Sequence, residues 1–251
     1  MNNIMLKAKG VRQIDRTQLF GIEIPEQTVS YCPISNKEIV ETALEELFKN
    51  GFTVKSEFHK TDGSFSKFAG GFVIENNDSE MDLMFGYKNS YDKSMTAAYA
   101  LGVQILICSN SAVRGDEMMI RKHTGDANNI LKTSISEGIK RLGDNFQIMK
   151  RDFTRLKEIE VTKKTIASLV GQMYLNDEII KSHQLSIMKK ELDLESYNYG
   201  VKGSAYNLYQ ATTHALKSSH PINYISDHAN LHRFMENEFG LLVNKEILEL
   251  V

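Results

Sequence analysis

The sequence predicts an α+β fold: an antiparallel sheet of about four to five strands with a capping N-terminal helix and a long central helix, followed by a helical C-terminal subdomain. Three observations carry this expectation. A capped amphipathic helix comes first, apolar residues then alternate with a period of two from Phe52 to Ile107, and from Asp126 the period lengthens to three or four. No Pro/Gly linker divides the chain, so residues 1–30 read as an N-terminal arm, 31–160 as an α+β core and 161–251 as a helical subdomain packed on that core.

Ser35-Asn36-Lys37-Glu38 has the form of a capping box, in which the Ser35 hydroxyl takes a first-turn amide and Glu38 reaches back. Ile39, Val40, Ala43, Leu44, Leu47 and Phe48 follow at helical spacing, and Asn50-Gly51 ends a helix over 36–49. Phe52, Val54 and Phe58 then alternate with polar residues, Asp62-Gly63 makes a turn, and Phe68, Phe72 and Ile74 start a second strand with Gly70-Gly71 as a bulge or close contact. After Asn76-Asn77-Asp78-Ser79, the residues Met81, Leu83, Phe85 and Tyr87 share a face. From Met95, Ala97, Tyr99, Leu101, Val103, Ile105 and Ile107 occupy odd positions, reading as one long strand or two strands kinked at Gly102. A helix over 93–101 is the rival, because Ala97, Ala98 and Ala100 favour it.

Leu131, Ile135, Ile139, Leu142, Phe146, Met149, Phe153 and Leu156 predict one helix from Asp126 to Glu158, roughly 45–50 Å long. Further helices are expected over 163–174, 177–192, 203–218 and 221–239, with Pro221 in a first turn and Gly240 as a stop.

The 251 residues, 41% hydrophobic and 25% charged, have the composition of a soluble globular chain. No apolar run approaches the roughly 20 residues of a membrane helix, and Met1–Gly10 lacks a signal core. With Cys32 and Cys108 far apart and without metal spacing, a cytoplasmic location with reduced thiols is the expectation. Charge is unevenly spread. Residues 112–164 hold 12 Lys and Arg against 8 Asp and Glu, a surplus of 4, whereas 61–111 (3 against 6) and 165–251 (7 against 10) each run to −3. The central segment alone suits an anionic partner.

Catalytic motifs are missing from this pattern. Gly70-Gly71 lacks the further glycines and Lys-Ser/Thr of a phosphate loop, and Ser109 and Ser111 have no paired histidine identifiable from sequence. His228 and His232 stand four apart on an expected helix, and a metal site there would need a third ligand such as Asp227, Glu236 or His214. Ala229 follows His228 where the zinc-protease pattern has glutamate, so the histidines read as structural, with no metal, cofactor or catalytic residue assigned.

Tyr31-Cys32-Pro33-Ile34-Ser35-Asn36, Asn89-Ser90-Tyr91-Asp92, the run from Val103 to Asn110, Arg121-Lys122-His123-Thr124-Gly125 and Ala205-Tyr206-Asn207 with Ala211-Thr212-Thr213 resemble the phage/plasmid-like family of unknown function, over roughly residues 17–240. The tryptophans usual in that family are absent here. The order of helix, hairpin, Phe-rich strand, third strand and long basic helix also resembles the core of single-strand annealing proteins of the RecT, Erf and Red-beta type. What these resemblances imply is a non-enzymatic protein of a phage or mobile element that binds single-stranded nucleic acid, DNA or RNA, and promotes annealing in recombination as a homo-oligomer. Lys88, Arg114, Arg121, Lys122, Lys132, Lys140, Arg141, Lys150 and Arg151 would neutralise phosphates, and Tyr87 and Tyr91, flanked by polar residues, would be exposed rings that stack on bases. The competing expectation is a protein-binding effector of a mobile element, such as an inhibitor of host defence, with no nucleic-acid activity.

Overall fold

A computed structural model of the chain describes residues 10–106, 110–113, 118–120, 126–194, 196–199 and 202–241. Its sheet is larger than the sequence implies. Strands β1 (Val11–Ile14), β2 (Val54–Asp62), β3 (Lys67–Ile74), β4 (Met81–Ser90), β5 (Ala97–Ile105) and β6 (Asn110–Val113) lie side by side in chain order, every neighbouring pair antiparallel. A short β7 (Met118–Ile120) pairs with the other half of the β5 edge that β6 occupies. The expected four to five strands are therefore corrected to a six-strand path plus β7. The added strands are three or four residues long, too short to show a period, and β1 is fixed by its pairing with β2.

The arm also carries helix α1 (Arg16–Phe20), started by a reciprocal cap: Gln18 N donates to Asp15 Oδ1 at 2.7 Å and Asp15 N to Gln18 Oε1 at 3.0 Å. Helix α2 (Asn36–Lys49) starts where Ser35 predicts, with Glu38 N donating to Ser35 Oγ at 2.9 Å, and it ends at Asn50 before Gly51 at φ +77°. Residues 97–105 form one strand, not a helix, and Gly102 does not kink it. A Cβ at Gly102 would stand 2.2 Å from the Ala112 carbonyl oxygen, so glycine is what lets β6 approach.

The long helix is a correction. It is two helices, α3 (Ala127–Lys140) and α4 (Leu142–Glu158), parted at Arg141, where φ is −90° and ψ 2° and the amide donates to Gly138 O, three residues before it. Both helices rest their apolar stripes against β5. Helices α5 (Lys163–Leu175), α6 (Ser182–Leu194), α7 (Ala205–Leu216) and α8 (Pro221–Glu238) complete the chain. The start of α6 is delayed from the expected 177 because Glu178 takes φ +50°, which ends helical propagation in the 176–181 loop.

Strand alternation divides the helices between two faces. Phe72, Phe85 and Leu101 pair across β3, β4 and β5 and face α2, α3 and α4 in the main core. In the neighbouring row, Gly71, Gly86 and Ala100 follow Phe58 with almost no side-chain bulk, and α8 lies on that side of the sheet. Ile225 of α8 comes so close to Gly86 that a Cβ there would be 3.3 Å from it. Met84, Ala100, Val113, Tyr224, Ile225 and Ala229 form a second apolar cluster beneath α8. Helix α7 joins the two sides, packing on α4, α6, α8 and the β6 edge.

Candidate functional site

The tyrosines expected as stacking rings are core residues, and this is a correction. Tyr87 is 0% exposed, and its hydroxyl lies 2.9 Å from His59 Nδ1; Gly70 stands between them, where a Cβ would be 2.7 Å from the tyrosine ring. Tyr91 is 9% exposed and accepts the Asn36 amide at 3.0 Å, so its hydroxyl serves the start of α2. Lys88 is also buried, with Nζ donating to Ser226 Oγ of α8 at 2.7 Å. The polar residues that flank these rings are themselves internal. Asn89 Nδ2 donates to Ile34 O at 2.8 Å and to Asn36 Oδ1 at 3.0 Å. The stretches 31–36 and 89–92 thus meet as a polar joint between α2 and the sheet.

The basic residues of α3 and α4 face carboxylates. Lys132 meets Glu38 of α2 at 2.7 Å, Lys150 meets Asp78 at 2.7 Å, Lys157 meets Glu80 at 2.7 Å, and Arg151 meets Asp152 at 3.0 Å. Lys140 is exposed at the end of α3, close enough to Glu46 to help Lys49 and Ser136 hold that carboxyl below its usual range. Arg141 occupies the helix break and has a partner of its own. Burial alone would raise the Asp78 carboxyl, but Lys150 and the amides of Glu80 and Met81 hold it below its ordinary value. The acidic turn between β3 and β4 therefore docks on the basic helix and offsets its charge. Exposed pairs of this kind add little stability, and a phosphate backbone following these residues would have to compete with the paired carboxylates. Arg114, Arg121 and Lys122 lie outside the described residues, as do Cys108, Ser109 and the His123-Thr124-Gly125 stretch.

Of the C-terminal histidines, His214 lies 4.0 Å from Glu191, while His228 is 0% exposed with its ring centroid 4.5 Å from that of Tyr224. Burial pushes His228 down to about 3, so it is neutral. Asp227 accepts a hydrogen bond from Ser219 at 2.7 Å and is pushed up to about 6 by burial. His232 turns away from His228 to meet Asp152, Glu236 and Tyr209. Among the described residues, Asp152, His232 and Glu236 are the one group of three metal-type ligands close enough to share an ion.

One apolar concavity among the described residues was not foreseen. It is a groove of about 660 Å³ between α5 and α6, walled by Ile166, Val170, Leu185, Met188 and Leu192. Its closed end is a backbone joint: Val161 N donates to Gly203 O at 2.8 Å and Ala205 N to Ile159 O at 2.8 Å, which pins the start of α5 beside the start of α7. Helix α6 packs closely on α7, with Gln184, Met188 and Glu191 buried, whereas α5 buries only Leu169 and Met173. Ile166, Ala167 and Val170, which α5 does not bury, line the groove. Lys163, Lys189 and Lys202 stand on the lining against Asp193, three cations to one anion. Leu175 and Leu194, the C-terminal residues of α5 and α6, are 73% and 70% exposed. The sequence signal was the weak amphipathicity of α5, in which Ala167, Tyr174 and Leu175 add apolar residues beyond the single stripe of Ile166, Leu169, Val170 and Met173.

No protein-family model, curated protein or solved structure matches this chain. Its function is argued from its own side chains. No helix among the described residues is long and apolar enough to cross a membrane.

Proposed function

We propose that this chain is a non-catalytic recognition protein that holds an amphipathic helix of a partner protein between α5 and α6. The observation that carries this reading is the α5–α6 groove, which is apolar along both walls and open to solvent. Two helices of 13 residues each give walls about 20 Å long, room for about three to four turns of a docked helix. Three lysines against one aspartate on the lining fit a partner helix with leucines on one face and glutamates flanking them.

The test is fluorescence anisotropy with two labelled helical peptides. Each has leucines at i, i+3 and i+7; one has glutamate flanks and its twin has lysine flanks. The acidic peptide is expected to bind about tenfold more tightly than the twin, the worth of two or three exposed charge pairs. Val170→Asp, which puts a carboxylate on the wall, should abolish binding of both while the circular dichroism spectrum stays unchanged. Equal binding of the twins, or binding indifferent to Val170→Asp, overturns the reading.

A second reading is that the chain holds single-stranded nucleic acid, with several copies along one strand. The observation that favours it is the element order α2, β2, β3, β4, β5, α3 and α4, in which an antiparallel sheet is followed by helices bearing Lys132, Lys140, Arg141 and Lys150. Phosphates would have to displace Glu38 and Asp78 from their lysines. Salt-sensitive binding of a single-stranded oligonucleotide that survives Val170→Asp but fails in Lys132→Glu/Lys150→Glu would put this reading first.

A further inference from the structure

We propose that Asp152, His232 and Glu236 bind one divalent transition-metal ion of the zinc class at the junction of α4, α7 and α8. All three side chains are internal, at 0%, 1% and 7% exposure, and their ligand atoms lie within 4.8 Å of one another. His232 and Glu236 are one turn apart on α8, and Asp152 faces them from α4.

The distances discriminate between direct hydrogen bonds and a shared ion. His232 Nε2 is 3.5 Å from Asp152 Oδ2 and 3.7 Å from Glu236 Oε1. A charge-assisted hydrogen bond closes to about 2.7–2.9 Å. Two ligands on one tetrahedral ion with bonds of about 2.0–2.2 Å stand about 3.4 Å apart, the tetrahedron edge. The two separations from His232 lie close to that edge. His232 Nε2 has no hydrogen-bond partner among the described residues, although the ring is almost wholly buried and aimed between the two carboxylates.

The surroundings hold the ligands in place. The other ring nitrogen, Nδ1, is 3.1 Å from the Tyr209 hydroxyl, which fixes the imidazole plane and, with the proton on Nδ1, leaves Nε2 as a lone-pair donor. Arg151 Nη2 donates to Asp152 Oδ1 at 3.0 Å, so the aspartate presents its other oxygen, Oδ2, to the histidine. The Phe153 ring packs on both Tyr209 and His232, at 5.3 Å and 6.4 Å between centroids, keeping water out. One imidazole with two carboxylates suits zinc, manganese or ferrous ions better than calcium or magnesium, which take oxygen ligands alone. Two carboxylates would balance the charge of a divalent ion where the dielectric is low. The first half of α8 packs on the sheet face opposite α4, whereas Leu231, Phe234 and Met235 of its second half join the main core, so the ion would tie the end of α8 to α4.

The experiment uses the tag-free full chain, dialysed with zinc(II) or cobalt(II) and then desalted. One equivalent of metal is expected by elemental analysis, with the visible absorption bands of a protein-bound cobalt(II) ion. His232→Gln and Glu236→Gln should each lose that equivalent, while His228→Gln, one turn away, retains it. Zinc at about a hundred times its dissociation constant should raise the wild-type Tm by about 5–10 °C, reversed by EDTA. Should the ligand variants fail to fold, wild-type stoichiometry and the cobalt spectrum decide. Less than about a tenth of an equivalent with no Tm shift, or metal retained in both ligand variants, overturns the proposal and leaves the cluster a buried ion pair.

Discussion

Substituting alanine for Gly138 sets two opposed effects against each other, and the structure decides the sign. In a helix interior, alanine is better than glycine by about 1 kcal/mol. At position 138 the new Cβ would stand 2.7 Å from Tyr99 Cε2 and 2.8 Å from its hydroxyl oxygen. Carbon atoms pack favourably at about 3.5–4.0 Å, so the ring would have to retreat by about 1 Å. It is held against that movement: it stacks on Phe85 with centroids 5.7 Å apart, and its hydroxyl donates to Ser134 O at 2.7 Å. Overpacking costs about 1–3 kcal/mol, and loss of the hydrogen bond about 1 kcal/mol more. The net is a destabilisation of about 1–3 kcal/mol, or a fall in Tm of about 3–10 °C for a chain of this size. Gly171, inside α5, has nothing within 4 Å of its would-be Cβ. Gly171→Ala keeps the propensity gain without the clash and should raise Tm by about 2–4 °C. Scanning calorimetry of both variants is the assay. A rise for Gly138→Ala, or equal shifts for the two, refutes the close approach of α3 to Tyr99.

Asn89→Ala removes two buried hydrogen bonds, to Ile34 just before α2 and to Asn36 at its start, at about 1 kcal/mol each, so urea denaturation should show a loss of about 2 kcal/mol. A loss under about 0.5 kcal/mol, the scatter of neutral surface changes, would mean that the joint between residues 31–36 and 89–92 does not hold α2. Asp227 has a folded value of about 6 against an ordinary 3.8, so its contribution is full below the ordinary value and is lost as pH rises through about 6; His228, at about 3 against 6.5, contributes fully above 6.5 and loses that as pH falls toward 3. These slopes oppose each other between about pH 4 and 6, so Asp227→Asn should make stability fall more steeply with acid, by up to about 1.4 kcal/mol per pH unit, and curves parallel to wild type would contradict it. Tyr87→Phe leaves His59 Nδ1 without its partner and should cost about 1–3 kcal/mol, read from the urea midpoint at constant slope; an unchanged midpoint would mean that the hydrogen bond across Gly70 carries no stability.

What the sequence discloses follows the range of the interactions involved. Helix α2 is legible to the residue because Ser35 and Gly51 act within one turn of its ends. Strands β2 to β5 are legible because each has a period of two along its own length. The break at Arg141 is not, since the apolar spacing from Ile139 to Phe146 runs through it without a proline; it forms where two stripes both settle on β5. The burial of Tyr87 and Tyr91 was hidden by their polar neighbours, which mark exposure only when their partners are water. Here the partners are Ser226, Ile34 and Asn36, far away in the chain. The cluster of Asp152, His232 and Glu236 is legible only in part. Glu236 follows His232 by one helical turn and is named by spacing alone. Asp152 sits among lysines and arginines and reads as one of their counter-ions, which through Arg151 it also is. Yet Asp152 lies three residues after Met149 and Asn145 four before it, so both fall on the buried stripe, and both are buried. A carboxylate at a stripe position must find a cation inside the protein, and with Arg151 already on its outer oxygen, the inner one faces His232.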